Sequence, residues 1–125
     1  MQDNASFYSN KNDNKAWQYL ISGDGFNCDM ANGGKFVISS KNKEEQPKIH
    51  VYKSDISENG NVINKRRIDP YGAKDMPWAT PFRLDPNNSN ILYLGCGNLI
   101  FRNNDLSKIP MDGGKDSVSI GWDSL

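Results

Sequence analysis

The sequence has few of the residues from which metal sites and nucleophilic active sites are built. Among its 125 residues there are one histidine and two cysteines. Cys28 and Cys96 form neither a CxxC nor a zinc-finger spacing, and His50 has no serine or cysteine nearby in a nucleophile pattern. We therefore expect no metal, no cofactor and no catalytic triad. His50 is expected to face solvent from a strand, and the two cysteines to be buried free thiols, with a disulfide as the alternative.

The chain also lacks net charge and long apolar runs. Lys and Arg total 15 and so do Asp and Glu, so the formal net charge is zero, and the basic footprint of a nucleic-acid-binding protein is missing. Lys65-Arg66-Arg67 indicates a solvated strand end rather than a phosphate site. No run approaches the roughly 18–20 apolar residues of a membrane span, and no signal peptide follows Met1. If the parent protein is exported, we expect its signal to lie outside this chain.

What the sequence does contain is many turn-forming residues between short apolar segments. Hydrophobic residues make up 36% and the mean hydropathy is −0.74. Asn, Asp, Ser, Gly and Lys separate the apolar runs, which are too short for amphipathic helices and are typical of short strands. The composition therefore predicts an all-β protein.

An internal repeat refines this prediction. Two segments 56 residues apart share the order aromatic, polar, apolar, Asp, and each leads through a turn into an apolar strand. A third element recurs three times, with offsets of 45 and 49 residues between copies. The first pair of segments is 26–30 and 82–86, their strands are 36–40 and 92–96, and the third element is at 7–9, 51–55 and 100–104.

The repeat predicts a partial β-propeller of about two four-stranded antiparallel blades with the ring not closed. Residues 1–25 would end one blade, residues 26–75 would form a complete blade, and residues 76–125 most of a third. Because propellers need about four to eight blades, we expect the remaining blades to come from a longer parent protein or from self-association through open blade edges. A truncated reading frame without its own function is the other interpretation.

These motifs resemble the BNR or sialidase-like propeller repeat. The resemblance is carried by Phe82-Arg83-Leu84-Asp85-Pro86-Asn87, by Ile91 to Gly95 and by Ile100 to Asp105. The resemblance covers nearly the whole chain. The sequence is especially similar to exported propellers of Bacteroidetes-type bacteria, which are relatives of xyloglucanases and sortilin. The family's Asp-box, Ser-x-Asp-x-Gly-x-x-Trp, is intact in no copy here. Asn103-Asn104-Asp105 has Asn in place of Ser, and the middle copy has Arg67-Ile68-Asp69 where a Trp is expected. We interpret the Asp-box as a structural turn.

The resemblance suggests one candidate catalytic residue. Asp24 lies between Gly23 and Gly25, just before a strand expected to line a propeller channel. In the xyloglucanase-like relatives, a Gly-Asp at such a place can supply an acid or base for glycoside hydrolysis, which needs a second carboxylate. Asp29 is the nearest along the chain, but its repeat position indicates a turn residue. A tight turn without catalytic function is the alternative for Asp24.

Two further candidates concern ligand binding. Gln2, Asp3 and Asn4 could contact sugar hydroxyls or an ion, or could be a solvated terminus. Trp78, beside two prolines, could stack on a sugar ring or be wedged between blades. The leading hypothesis is a secreted or cell-surface propeller that binds a glycan or protein or serves as scaffold, with no nucleic acid and no membrane span. A glycoside hydrolase that uses Asp24 is the alternative, and whether the parent is an enzyme is left open.

Overall fold

The computed structural model describes residues 5–9, 17–43, 49–113 and 118–125, and these residues form an all-β structure. The described ranges contain ten strands, with short 3-10 turns at Asn32–Gly34 and Leu106–Lys108. The strands are β1 (Ser6–Tyr8), β2 (Gln18–Ile21), β3 (Gly25–Met30), β4 (Phe36–Asn42), β5 (Ile49–Ile56), β6 (Val62–Arg67), β7 (Phe82–Leu84), β8 (Leu92–Cys96), β9 (Leu99–Asn103) and β10 (Trp122–Ser124). Within the described ranges, no helix is long and apolar enough to span a bilayer.

The strands form three antiparallel sheets in which neighbours along the chain are neighbours in space. The first sheet is the hairpin β1–β2, the second has the order β3-β4-β5-β6, and the third has the order β7-β8-β9-β10. None of the three is closed into a barrel. The predicted all-β class, with two four-stranded antiparallel sheets in an open, partial propeller, is therefore confirmed.

Local sequence accounts for where the strands begin and end. The turn between β3 and β4 uses Gly33 at φ 76°, a backbone conformation that residues with a Cβ rarely adopt. The turn between β7 and β8 is fixed by Asp85, whose Oδ1 accepts bonds from the backbone N–H groups of Asn87 (2.8 Å) and Asn88 (3.1 Å). The two copies of the repeat thus make the same strand-turn-strand unit with different turn chemistry.

The hydrophobic core has two parts, one on each side of the second sheet. The smaller cluster joins the first and second sheets, and the larger cluster joins the second and third. The alternation along β4 explains this, because Val37 points to the smaller cluster while Phe36 and Ile38 point to the larger one. The smaller cluster is Tyr8, Leu20, Val37 and Ile56, and the larger one includes Ile49, Val51, Ile68, Leu84, Leu92, Leu94 and Leu106. The sheets are therefore stacked face to face.

Polar contacts add to the stacking of the second sheet on the third. Asn27 Nδ2 donates to the carbonyl of Thr80 (2.6 Å), and the backbone N–H of Asn32 donates to Ser89 Oγ (3.0 Å). Asp29 Oδ2 accepts from the backbone N–H of Leu84 (2.9 Å). The first strands of consecutive sheets, β3 and β7, therefore lie side by side.

The first sheet is attached to the second by backbone and side-chain bonds at both ends. The N–H of Ala5 donates to the carbonyl of Gly23 (3.0 Å), and Tyr8 Oη donates to the carbonyl of Gly60 (2.6 Å). Lys65 Nζ donates to the carbonyl of Leu20 (2.8 Å). These bonds fix the hairpin β1–β2 against the face of the second sheet.

The basic segment 65–67 differs from its sequence interpretation. It does form the end of β6, but Arg67 is buried rather than solvated. Arg67 makes a bidentate ion pair with Asp69, which is fully buried, at 2.8 and 2.7 Å. Asp69 Oδ1 also accepts from the N–H of Val51 (3.1 Å). A buried arginine needs such a partner because an unpaired buried charge is costly.

The register also corrects the expected position of the missing tryptophan. Trp122 pairs with Asn103 across β9 and β10, while the corresponding Ser54 in β5 pairs with Lys65. Lys65, and not the segment 67–69, therefore occupies the equivalent place in the middle sheet. The Trp122 indole N–H instead reaches the second sheet's last segment, where it donates to the carbonyl of Ile68 (2.8 Å).

The side chains of segment 103–105 fix the loop that follows β9. Asn103 is fully buried; its Oδ1 accepts from the N–H of Asp105 (3.0 Å) and its Nδ2 donates to the carbonyl of Ile120 (2.8 Å). Asp105 Oδ1 in turn accepts from the N–H of Ser107 (3.1 Å). The hydroxyl of Ser107 also bonds this carboxylate, and these bonds lower the pKa of Asp105.

Candidate functional site

The antiparallel order brings Asp24 and the loop that carries Trp78 to the same side of the stacked sheets. In a sequential antiparallel sheet, the start of the first strand, the end of the second and the start of the third lie at the same edge. We call this side of the sheets, which is formed by strand ends and not by an outer strand, the starting edge. In the second sheet it carries Asp24, Asn42 and Ile49, and in the third sheet Phe82, Cys96 and Leu99. The loop that carries Trp78 leads directly into it.

Asp24 is half-buried at the starting edge, and the glycines on its two sides serve different purposes. Gly23 has φ 82°, which supplies the sharp bend that the sequence predicts. Gly25 is required for another reason: a Cβ there would collide with Ser6 Oγ and the carbonyl oxygen of Ala5. Asp24 is therefore held by a close approach between β1 and β3 as well as by a turn.

Trp78 lies on a fixed loop with more than half of its surface exposed, at 55%. Its ring packs edge-on against Phe26, with centroids 4.7 Å apart and planes at 68°. The loop is anchored by Thr80, which is fully buried and donates through Oγ1 to the carbonyl of Pro77 (2.8 Å). The indole thus packs at the boundary between two sheets and still has an exposed face. The first feature agrees with a Trp wedged between blades, and the second with a Trp available to stack on a sugar ring.

Phe26 links Trp78 to Asp24. It is the second residue of β3, two positions after Asp24, and it contacts Trp78 from the neighbouring sheet. The structure thus brings an exposed aromatic ring and a carboxylate to the same edge. An aromatic face with a polar group nearby is a combination that ligand sites use.

Asp29 is a structural residue, but not the turn residue that the repeat suggests. It lies within β3, and its Oδ2 bonds the N–H of Leu84, with Arg83 Nε at 3.5 Å. The carboxylate of Asp29 is thus used in the contact between the second and third sheets, which gives it a structural role.

His50 is half-buried rather than solvent-facing. Its Nδ1 lies 3.3 Å from Tyr52 Oη, on the opposite face of β5 from Ile49 and Val51. Burial lowers the pKa of His50 from its ordinary value of 6.5, and nearby Arg67 lowers it further. The imidazole is therefore neutral at pH 7.

Both cysteines are free thiols, as expected, but only one is buried. Cys96 lies in the larger core cluster with its thiol against the carbonyl of Lys74. Cys28 is an exposed residue of β3, although partial burial of its thiol raises the pKa of that thiol. Among the described residues, no group of three or more His, Cys, Asp or Glu is placed to hold a metal ion.

Gln2, Asp3 and Asn4 lie outside the described residues, so their proposed role stays a prediction.

A set of exposed aromatic residues on the first sheet was not expected from the sequence. Phe7, Trp17 and Tyr19 are between 45% and 63% exposed, and the rings of Phe7 and Tyr19 pack edge-on with centroids 5.8 Å apart. The signal was available: if β1 and β2 form a hairpin, Phe7 and Tyr19 pair across it, because side chains alternate between faces. We call the adjoining cavity the β1 groove. It has a volume of about 510 Å³ and is lined by Ala5, Ser6, Phe7, Trp17, Phe26 and Cys28.

Comparison of the chain with protein-family models, with curated proteins and with solved structures gives no match.

Proposed function

We propose that this chain supplies blades to an exported, BNR/sialidase-like β-propeller that works as a binding or scaffold module. Support comes from the internal repeat together with two four-stranded sheets stacked through a shared core. Such stacking of similar sheets about a common edge is how propellers are built. The secreted or cell-surface location belongs to the same proposal and rests on the family resemblance.

The ligand that the starting edge fits best is a glycan. The observation that carries this is the exposed indole of Trp78, held in place by Phe26 and by the buried Thr80. A rigid aromatic face loses little conformational freedom on binding and can stack on the apolar face of a sugar ring. Asp24, at the same edge, adds a hydrogen-bond acceptor for sugar hydroxyls.

Binding should depend on Trp78 and not on exposed tryptophan in general. The test measures affinity for xyloglucan, mixed-linkage glucan and sialylated oligosaccharides by isothermal titration calorimetry. We expect Trp78→Ala to weaken binding about tenfold, the equivalent of about 1.4 kcal/mol. Trp17→Ala, at the other exposed indole, is the matched control and should leave affinity unchanged. Retained affinity in Trp78→Ala, or no binding to any of these glycans, would contradict the glycan assignment.

Glycoside hydrolysis with Asp24 as one carboxylate is the second candidate in the same assay. Its supporting observation is that Asp24 is half-buried at the edge where Trp78 would hold a sugar. Asp24→Asn separates the two functions, because it keeps the side-chain shape while removing the acid. Glycan binding without release of reducing ends from the unsubstituted protein favours the binding module.

A further inference from the structure

The first sheet has an open strand position beside β1. In the second and third sheets, the third strand lies between the second and fourth strands. By the repeat, β1 corresponds to those third strands, β5 and β9, and β2 to the fourth. Within the described part of the chain, β1 pairs with β2 alone. Its other edge therefore faces the position that β4 and β8 fill in the complete sheets.

The β1 groove lies at this open position. One wall is β1 itself, with Phe7, and the opposite side is β3, with Cys28. A second cavity of about 250 Å³ shares Phe7, Trp17 and Cys28 and extends along β3 to Met30. The side chains of Cys28 and Met30 are exposed there. The face of β3 next to the first sheet is thus open along most of its length.

The other sheet boundary indicates what such a face is normally covered by. Between the second and third sheets, β3 lies against β7, joined by the bonds of Asn27 to Thr80 and of Asp29 to Leu84. A first strand of the preceding sheet therefore covers the first strand of the next. For the first sheet, the described residues contain only the strands equivalent to the third and fourth, β1 and β2. They contain no equivalent of the first and second strands, which would cover β3 at the groove.

We propose that the β1 groove binds a β-hairpin in which the second strand pairs antiparallel with β1. The hairpin resembles this chain's own segments 25–42 and 82–96 in sequence. Its first strand has an aromatic residue followed two positions later by an apolar one, its turn is polar, and its second strand has alternating apolar residues. Strand addition supplies backbone hydrogen bonds to the open edge, and alternate side chains fill the space between Phe7 and Cys28. This interaction surface is separate from the Trp78 site and does not depend on glycan binding.

Alkylation of Cys28 reports directly on occupancy of the groove. Cys28 lines the groove and is exposed, whereas Cys96 is buried and provides the internal control. The probe is a synthetic peptide of residues 80–97 that carries Cys96→Ser. At ten times its dissociation constant, the peptide should slow the reaction of Cys28 with N-ethylmaleimide about tenfold, because only the unbound fraction reacts. A peptide with Leu94→Pro loses a strand N–H and should give no protection.

A charge in the second cavity, which adjoins the β1 groove along β3, gives a second measurement. Met30→Glu places a carboxylate where the hairpin would bury apolar side chains, and should weaken the peptide about tenfold or more. Leu99→Glu, at a similarly exposed apolar residue of the third sheet, is the control and should not affect binding. Both wild-type residues are exposed, so both variants are expected to fold.

Several outcomes would overturn this inference. The alkylation rate of Cys28 could stay constant at millimolar peptide, or the proline peptide could protect equally. Protection without peptide that grows with protein concentration would identify a second copy as the occupant. Protection without peptide at every dilution would mean that the chain covers its own groove. Each of the last two results would replace the proposed hairpin with a different occupant.

Discussion

At the scale of single residues, the side chains that matter most are those whose partners lie far away in the sequence. Asp29 illustrates this: its position after a strand-like segment indicated a turn, but its carboxylate bonds the N–H of Leu84 in another sheet. Gly25 looked like a residue chosen for flexibility, while its lack of a Cβ is what admits Ser6. Asp85, the residue that matches Asp29 in the repeat, does fix a turn, and its partners are only two and three residues away.

The buried pair Arg67–Asp69 gives a prediction at this scale. Asp69→Asn should lower the free energy of unfolding by about 3–5 kcal/mol, because it leaves the buried guanidinium of Arg67 without a countercharge. Chemical denaturation monitored by circular dichroism measures the loss. Asp112→Asn, at an exposed carboxylate, should change stability by less than about 0.5 kcal/mol. Equal stability of the two variants would mean that Asp69 is not buried with Arg67.

At the scale of strands and sheets, the sequence was informative wherever the signal was local. Alternation and turn residues located β4, β5, β8 and β9, because these depend on neighbours a few residues apart. The fourth strands were harder. The tryptophan expected at 67–69 corresponds by register to Lys65, since Val62 and Ile63 are both exposed and β6 shows no alternation of buried apolar and exposed polar residues. Open blade edges were expected from the incomplete repeat, but the sequence did not show that β1 carries one, because that depends on which strands are adjacent.

The attachment of the hairpin β1–β2 gives a prediction at the scale of elements. Gly25→Ala should push β1 away from β3 and speed amide hydrogen exchange in β1 and β2, while β8 and β9 stay protected. Overpacking of this kind costs about 1–3 kcal/mol. Gly33→Ala is the comparison, since a Cβ at Gly33 meets open space and only its positive φ is unfavourable. Amide exchange in β1 and β2 of Gly33→Ala should match that of the unsubstituted protein. Unchanged exchange in Gly25→Ala would contradict the close approach of β1 to β3.

At the scale of the whole molecule, the three sheets form a stack with the second sheet in the middle. Each of its faces contributes to a different core cluster, so neither neighbour can be removed without exposing apolar side chains. The third sheet leaves Leu99, Ile100 and Leu125 exposed, and the first leaves Phe7 and Tyr19. The second sheet also leaves Val62 and Ile63 exposed, so exposed apolar side chains are not confined to the ends of the stack.

The stacking itself is the central claim, and nuclear Overhauser effects between sheets test it most directly. A NOESY spectrum of the full chain with labelled methyl and aromatic groups should contain cross-peaks between Phe26 and Trp78, whose rings are 4.7 Å apart. It should also connect the methyls of Ile38, Ile49 and Val51 with those of Leu84, Leu92 and Leu94. Cross-peaks confined within the individual sheets, with none between the second and the third, would contradict the stacked arrangement.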